Sequence, residues 1–134
     1  MKVRFTLLSL ALVIASSLAW AGSTVLYPVV VTINADGSGS AQGNLSAARF
    51  SANSDEFIGC GVHYNQKSDG TVSKYGLCQA LATGSKVGAF CNSSNSDMLD
   101  SIKGINEASY VAFKWDVNGV CTSIYVSSQS QYIH

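Results

Sequence analysis

Alternation of apolar and polar positions is sharpest over residues 111–126. Val111, Phe113, Trp115 and Val117 recur at every second position, then Asn118-Gly119 intervenes, and Val120, Ile124 and Val126 follow. Successive side chains of a strand point to opposite faces, so this pattern predicts two strands sharing one buried face. Asn-Gly accepts the positive φ of a type I′ turn, which predicts a two-residue hairpin connection. That turn sets Val117 opposite Val120, Trp115 opposite Thr122, Phe113 opposite Ile124 and Val111 opposite Val126. The other face then carries Tyr110, Lys114, Tyr125 and Cys121. In this register Cys121 points away from the Trp115 core and needs a partner from a segment crossing the opposite face or from an adjoining strand.

The same period runs through Ile58, Cys60, Val62 and Tyr64, with Gly59 and Gly61 between them. Ser68-Asp69-Gly70 predicts a turn into a second strand over Ser73–Ala82. Earlier, Val25–Ile33 reads as a first strand, dense in β-branched residues and stopped by Asn34-Ala35-Asp36-Gly37. Ser38–Ser51 is rich in Ser, Ala and Gly and predicts a flat strand or irregular chain. Lys86–Cys91 is a further short strand. Asn95-Ser96 then precedes Asp97, Met98, Leu99 and Ile102, which predicts a capped short helix ending near Gly104, the one helix expected in the domain. The fold class is mostly β, a small disulfide-bonded antiparallel sheet or sandwich with one short helix, α+β being the alternative.

The first residues change the setting. Met1 to Arg4 carry two positive charges, Phe5 to Leu18 is mostly apolar, and Ala19-Trp20-Ala21 is a small-x-small cleavage pattern. This predicts an export signal over 1–21 with cleavage before Gly22, and a single domain over 22–134. The apolar run is too short to span a bilayer, so no membrane anchor is expected after cleavage and the protein is expected to be secreted or periplasmic. Without Lys2 and Arg4, six basic residues face eight acidic ones, 6 − 8 = −2, a balance that argues against a nucleic-acid partner. All four cysteines, Cys60, Cys78, Cys91 and Cys121, follow the signal, so two disulfides are expected. Cys60 and Cys78 lie symmetrically about Asp69 and are the preferred first bridge, leaving Cys91 for Cys121.

Leu45-Ser46-Ala47-Ala48-Arg49-Phe50-Ser51-Ala52-Asn53-Ser54 with Phe57-Ile58-Gly59-Cys60, and later Phe113-Lys114-Trp115 with Gly119-Val120-Cys121-Thr122-Ser123-Ile124, resemble a group of short exported bacterial proteins of uncharacterised function. The resemblance implies a bacterial exported protein and carries over no activity, ligand or catalytic residue.

Candidate chemistry is sparse. Cys60-x-x-His63 brings two metal-ligand types together, but no second close pair exists and disulfides compete for the same sulfurs, so neither metal nor cofactor is expected. His63 and His134 are the only histidines, and no serine sits in Gly-x-Ser-x-Gly ahead of a helix. Asp55-Glu56 and the Asp97/Asp100 pair read more simply as a strand entry and a helix N-terminus. Tyr110 and Tyr125, diagonal on the outer hairpin face near Lys114, make a candidate binding surface, or else pack under the helix beside Cys121. The leading expectation is therefore a binding or structural module whose partner is another protein, a glycan or itself. A small secreted hydrolase using His63 with Asp55 or Glu56 is the alternative. So is an inhibitor of an extracellular hydrolase presenting the loop Gln66–Val72.

Overall fold

A computed structural model describes residues 23–82, 84 and 87–133, and the expected export signal over 1–21 lies outside them. The elements in chain order are β1 (Val30–Ile33), β2 (Gly39–Asn44), helix α1 (Leu45–Arg49), β3 (Phe57–Gln66), β4 (Val72–Leu81), β5 (Gly88–Ser93), helix α2 (Ser96–Lys103), β6 (Ser109–Trp115) and β7 (Cys121–Ser128). One sheet has the order β1-β2-β6-β7 and the other β3-β4-β5, all pairs antiparallel. The protein is mostly β, as its alternating pattern demands, and both expected disulfides are formed.

Three hairpins turn in the same way. Asn34, Lys67 and Asp116 each donate their N–H to the carbonyl four residues on, and each carbonyl accepts from a glycine three residues on: Gly37, Gly70 and Gly119. Those glycines have φ of 87°, 83° and 75°, so each loop is a three-residue turn closed by a left-handed glycine. At the last turn this corrects the expected register. Oδ1 of Asp116 accepts from the N–H of Asn118 and of Val120, which holds the longer loop against the two-residue alternative. A bulge follows, so Trp115 faces Cys121 and not Thr122, while Phe113–Ile124 and Val111–Val126 pair as expected. Val117 does not oppose Val120 in the ladder but lies exposed in the loop. The extra residue rotates Cys121 onto the core side, beside Trp115 and Phe113.

The inner faces of the two sheets share one core. Ala41, Val111, Phe113 and Trp115 of the first sheet meet Ile58, Cys78, Ala80 and Cys91 of the second. The Cys91–Cys121 bridge ties the sheets together, and beside it the Asn92 N–H donates to the Gly119 carbonyl. Helix α2 closes the core with Leu99 and Ile102, both buried. Oδ1 of Asn95 caps it by accepting from the N–H of Asp97 and Met98, as the sequence predicted. Gly76 makes room for the helix, since a Cβ there would lie 2.7 Å from Leu99 and Ile102 side-chain carbons.

Two further expectations need correction. The first strand begins at Val30, because residues 25–29 are tied elsewhere: Val25 N–H to Gln131, Val29 N–H to Glu56, and the Tyr27 carbonyl to Asn44 N–H. A second helix, α1, follows β2 directly. Leu45 and Ala48 turn inward on it, and Ser46 Oγ–H donates to the Tyr132 carbonyl.

Candidate functional site

β3 is the longest edge strand among the described residues. It pairs with β4 over ten consecutive positions, Phe57–Leu81 to Gln66–Val72, without a register break, and the sheet order places no strand on its other side among the described residues. Cys60 and Cys78 are directly opposed with Cα atoms 4.0 Å apart, the close spacing of a non-hydrogen-bonded pair. The N–H and C=O of Cys60 therefore point away from β4, as do those of Val62, Tyr64 and Gln66 by alternation. Edge strands are usually blunted by charge, proline or a bulge. Phe-Ile-Gly-Cys-Gly-Val-His-Tyr-Asn-Gln has no Lys, Arg, Asp, Glu or Pro, and its ladder has no bulge.

At its start this edge opens into a cleft of about 730 Å³ beside α1, with Leu45, Ala48, Phe50, Phe57 and Ile58 among its walls. Phe50 is 72% exposed and Phe57 47%, so the cleft and the edge share a rim of apolar surface. Glu56 lies buried at the same place. One carboxylate oxygen accepts from Val29 N–H at 2.7 Å and the other from Ser51 Oγ–H at 2.6 Å. Its role is to pin the segment before β1 and the loop after α1, which shapes the cleft wall. Sequence reasoning missed the cleft because it missed α1. Leu45 and Ala48, three apart behind Asn44, were the available signal.

The residues picked from the sequence fall in three separate places. His63 lies on the outer face of β3, stacked on Tyr75 with ring centroids 5.0 Å apart and planes 6° from parallel. Seven residues of extended chain separate it from Glu56, about 23 Å at the rise of a strand. Asp55 is exposed in the preceding turn, where its N–H donates to Asn53. Histidine and carboxylates are thus not brought together. The exposed loop between β3 and β4 is braced by Asp69, whose Oδ1 accepts from Thr71 N–H and Oγ1–H; these bonds hold its carboxyl below 3.8.

Tyr110 and Tyr125 are diagonal neighbours, ring centroids 6.2 Å apart, on the outer face of the four-stranded sheet. They do not pack under α2. Tyr27 and Tyr132 cover Tyr110 at 5.4 and 5.9 Å, and burial, then these neighbouring rings, raises the Tyr110 phenol above its ordinary 10.0. Tyr125 and Lys114 remain exposed beside this cluster. Tyr27 and Tyr132 thus cover the Tyr110 part of the candidate binding surface. Comparison with family models, curated proteins and solved structures finds no match. Any functional reading rests on the geometry alone. Among the described residues no helix is long and apolar enough to cross a membrane, and two disulfides mark a chain suited to an oxidising compartment.

Proposed function

We propose that this protein is an exported binding module, secreted or periplasmic, that works by strand addition at β3, with a second copy of the chain as the partner. The observation that carries this reading is the ten-residue edge without charge, proline or bulge. Backbone hydrogen bonding along such an edge needs no special side chains. Two β3 strands meeting antiparallel across a two-fold axis would present the same segment to each other, the commonest symmetry of self-association. The joined sheets would run continuously from one copy into the next, and Phe57 with Tyr64 would flank the seam.

The test is sedimentation equilibrium of the chain beginning at Gly22, with its disulfides intact, across a concentration series. Parent protein is expected to dimerise, and Tyr64→Pro to weaken the dimer about tenfold or more. Proline removes one outward N–H from each copy, two per dimer at about 0.5–1.5 kcal/mol each, without touching the β4 ladder, and it also removes the phenol beside Lys103. A parent chain that stays monomeric throughout, or a dimer indifferent to Tyr64→Pro with the fold retained by circular dichroism, would sink the proposal.

A further inference from the structure

The four cysteines are more closely connected than two separate bridges require. Cys60, Cys78 and Cys91 stand directly opposed on three adjacent strands, Cys60 to Cys78 across β3–β4 and Cys78 to Cys91 across β4–β5. Cys78 therefore has a cysteine on either side and is bonded to Cys60, while Cys91 bonds out of its sheet to Cys121 of β7. The Sγ atoms of Cys78, Cys91 and Cys121 all lie within 4.8 Å of one another. Cys78 and Cys91 are fully buried and Cys121 nearly so, whereas Cys60 is half-buried on the edge strand.

We propose that these sulfurs form one thiol–disulfide exchange relay, entered at Cys60 by a small external thiol, that moves the inter-sheet bridge into the three-stranded sheet. The external thiolate attacks Cys60 Sγ. The Cys60–Cys78 bond breaks, a mixed disulfide forms on Cys60, and Cys78 leaves as a thiolate. It leaves beside the second bridge, so it attacks Cys91 Sγ; the Cys91–Cys121 bond breaks, a Cys78–Cys91 bond forms, and Cys121 departs as a thiolate that takes up a proton from water. Two disulfides enter and two leave, with one thiol consumed and one released, so no net oxidation occurs.

Exposure sets the direction, because in the single copy Cys60 alone of the four cysteines is not buried. The ladder sets the product, because directly opposed residues have Cα atoms about 4.5–5.5 Å apart, within disulfide reach without backbone movement. The consequence is structural. Cys91–Cys121 joins the two sheets, whereas Cys78–Cys91 lies within one, so a small thiol arriving at the edge would release the covalent tie between the layers.

The test treats the native, fully oxidised protein with reduced glutathione, quenches with acid, alkylates and maps the peptides. The expected species carries glutathione on Cys60, a Cys78–Cys91 bridge and alkylated Cys121. Glutathione on Cys60 with Cys78 as the alkylated thiol would overturn the relay, as would first attack at Cys91 or Cys121, or no reaction before unfolding. Cys60→Ser supplies an independent arm without any added thiol. Its leftover Cys78 is expected to give a Cys78–Cys91 peptide after native incubation, and a bridge that stays wholly Cys91–Cys121 refutes the exchange.

Discussion

Gly39 is where one added methyl group should cost most. It is buried at the start of β2, opposite Ile33 on one side and Trp115 on the other. A Cβ at this position would overlap the Thr32 carbonyl oxygen and the Cζ2 of the Trp115 ring. The carbonyl belongs to the β1–β2 ladder and cannot retreat alone. The indole is held too, since its Nε1–H donates to the Gly37 carbonyl at 3.0 Å. Overpacking of this kind costs about 1–3 kcal/mol. Displacing the indole forfeits a hydrogen bond worth about 1 kcal/mol more. Gly39→Ala should therefore destabilise by about 2–4 kcal/mol, lowering Tm by about 8–16 °C for a domain of this size. In a chain beginning at Gly22, Trp115 is the only tryptophan, so urea unfolding followed by its fluorescence reads both the stability and the disturbed ring. Gly59→Ala is the control. Nothing lies within 4 Å of its added Cβ, and it should shift stability by less than about 1 kcal/mol. Equal midpoints for the two variants, with unchanged Trp115 emission, would refute the packing argument.

Other consequences follow from single contacts. Asn95→Ala removes the acceptor of two N–H groups at the start of α2 and should cost about 1 kcal/mol by urea titration. Glu56→Ala strands Val29 N–H and Ser51 Oγ, and a loss of about 2–4 kcal/mol is expected by the same assay. Asp36 and Asp69 have carboxyls held below 3.8, chiefly by side-chain hydrogen bonds from Ser38 and Thr71. A depressed carboxyl contributes stability in full above its unfolded value and loses it as pH falls through the folded one. Replacing both by Asn should thus flatten the fall of Tm below about pH 4, and an unchanged pH profile in thermal melts would count against this.

Much of the framework was legible because it depends on local pattern. Period-two alternation marked β3, β6 and β7, glycine marked the turns, and the symmetry of Cys60 and Cys78 about Asp69 marked a ladder pair. Cys91–Cys121 follows once Cys60 is paired with Cys78, but the face expected for Cys121 does not hold. Asn118-Gly119 suggests a two-residue turn, whereas the Asp116 carboxylate, accepting from two backbone N–H groups, supports the longer loop that brings Cys121 round to the core. α1 escaped notice because five residues give too little periodicity, and Ser46, Ala47 and Ala48 have no strong preference to read. The exposed edge of β3 could not be read from β3 at all. Whether a strand is central or peripheral depends on which other segments pair with it, and no local pattern encodes that.

The sheet order also has a consequence for the time course of folding. β3, β4 and β5 are consecutive and joined by short connections, so their contacts close small loops. β2 and β6 are remote: Asn44 must find Tyr110 and Gly39 must find Trp115. Pairing so distant in sequence is slow, because the entropy of a long loop is lost before the contact is gained. A chain emerging from its N-terminus can thus assemble the middle meander while β1 and β2 still wait for their neighbour, and the four-stranded layer closes last, when β6 and β7 arrive together as a preformed hairpin.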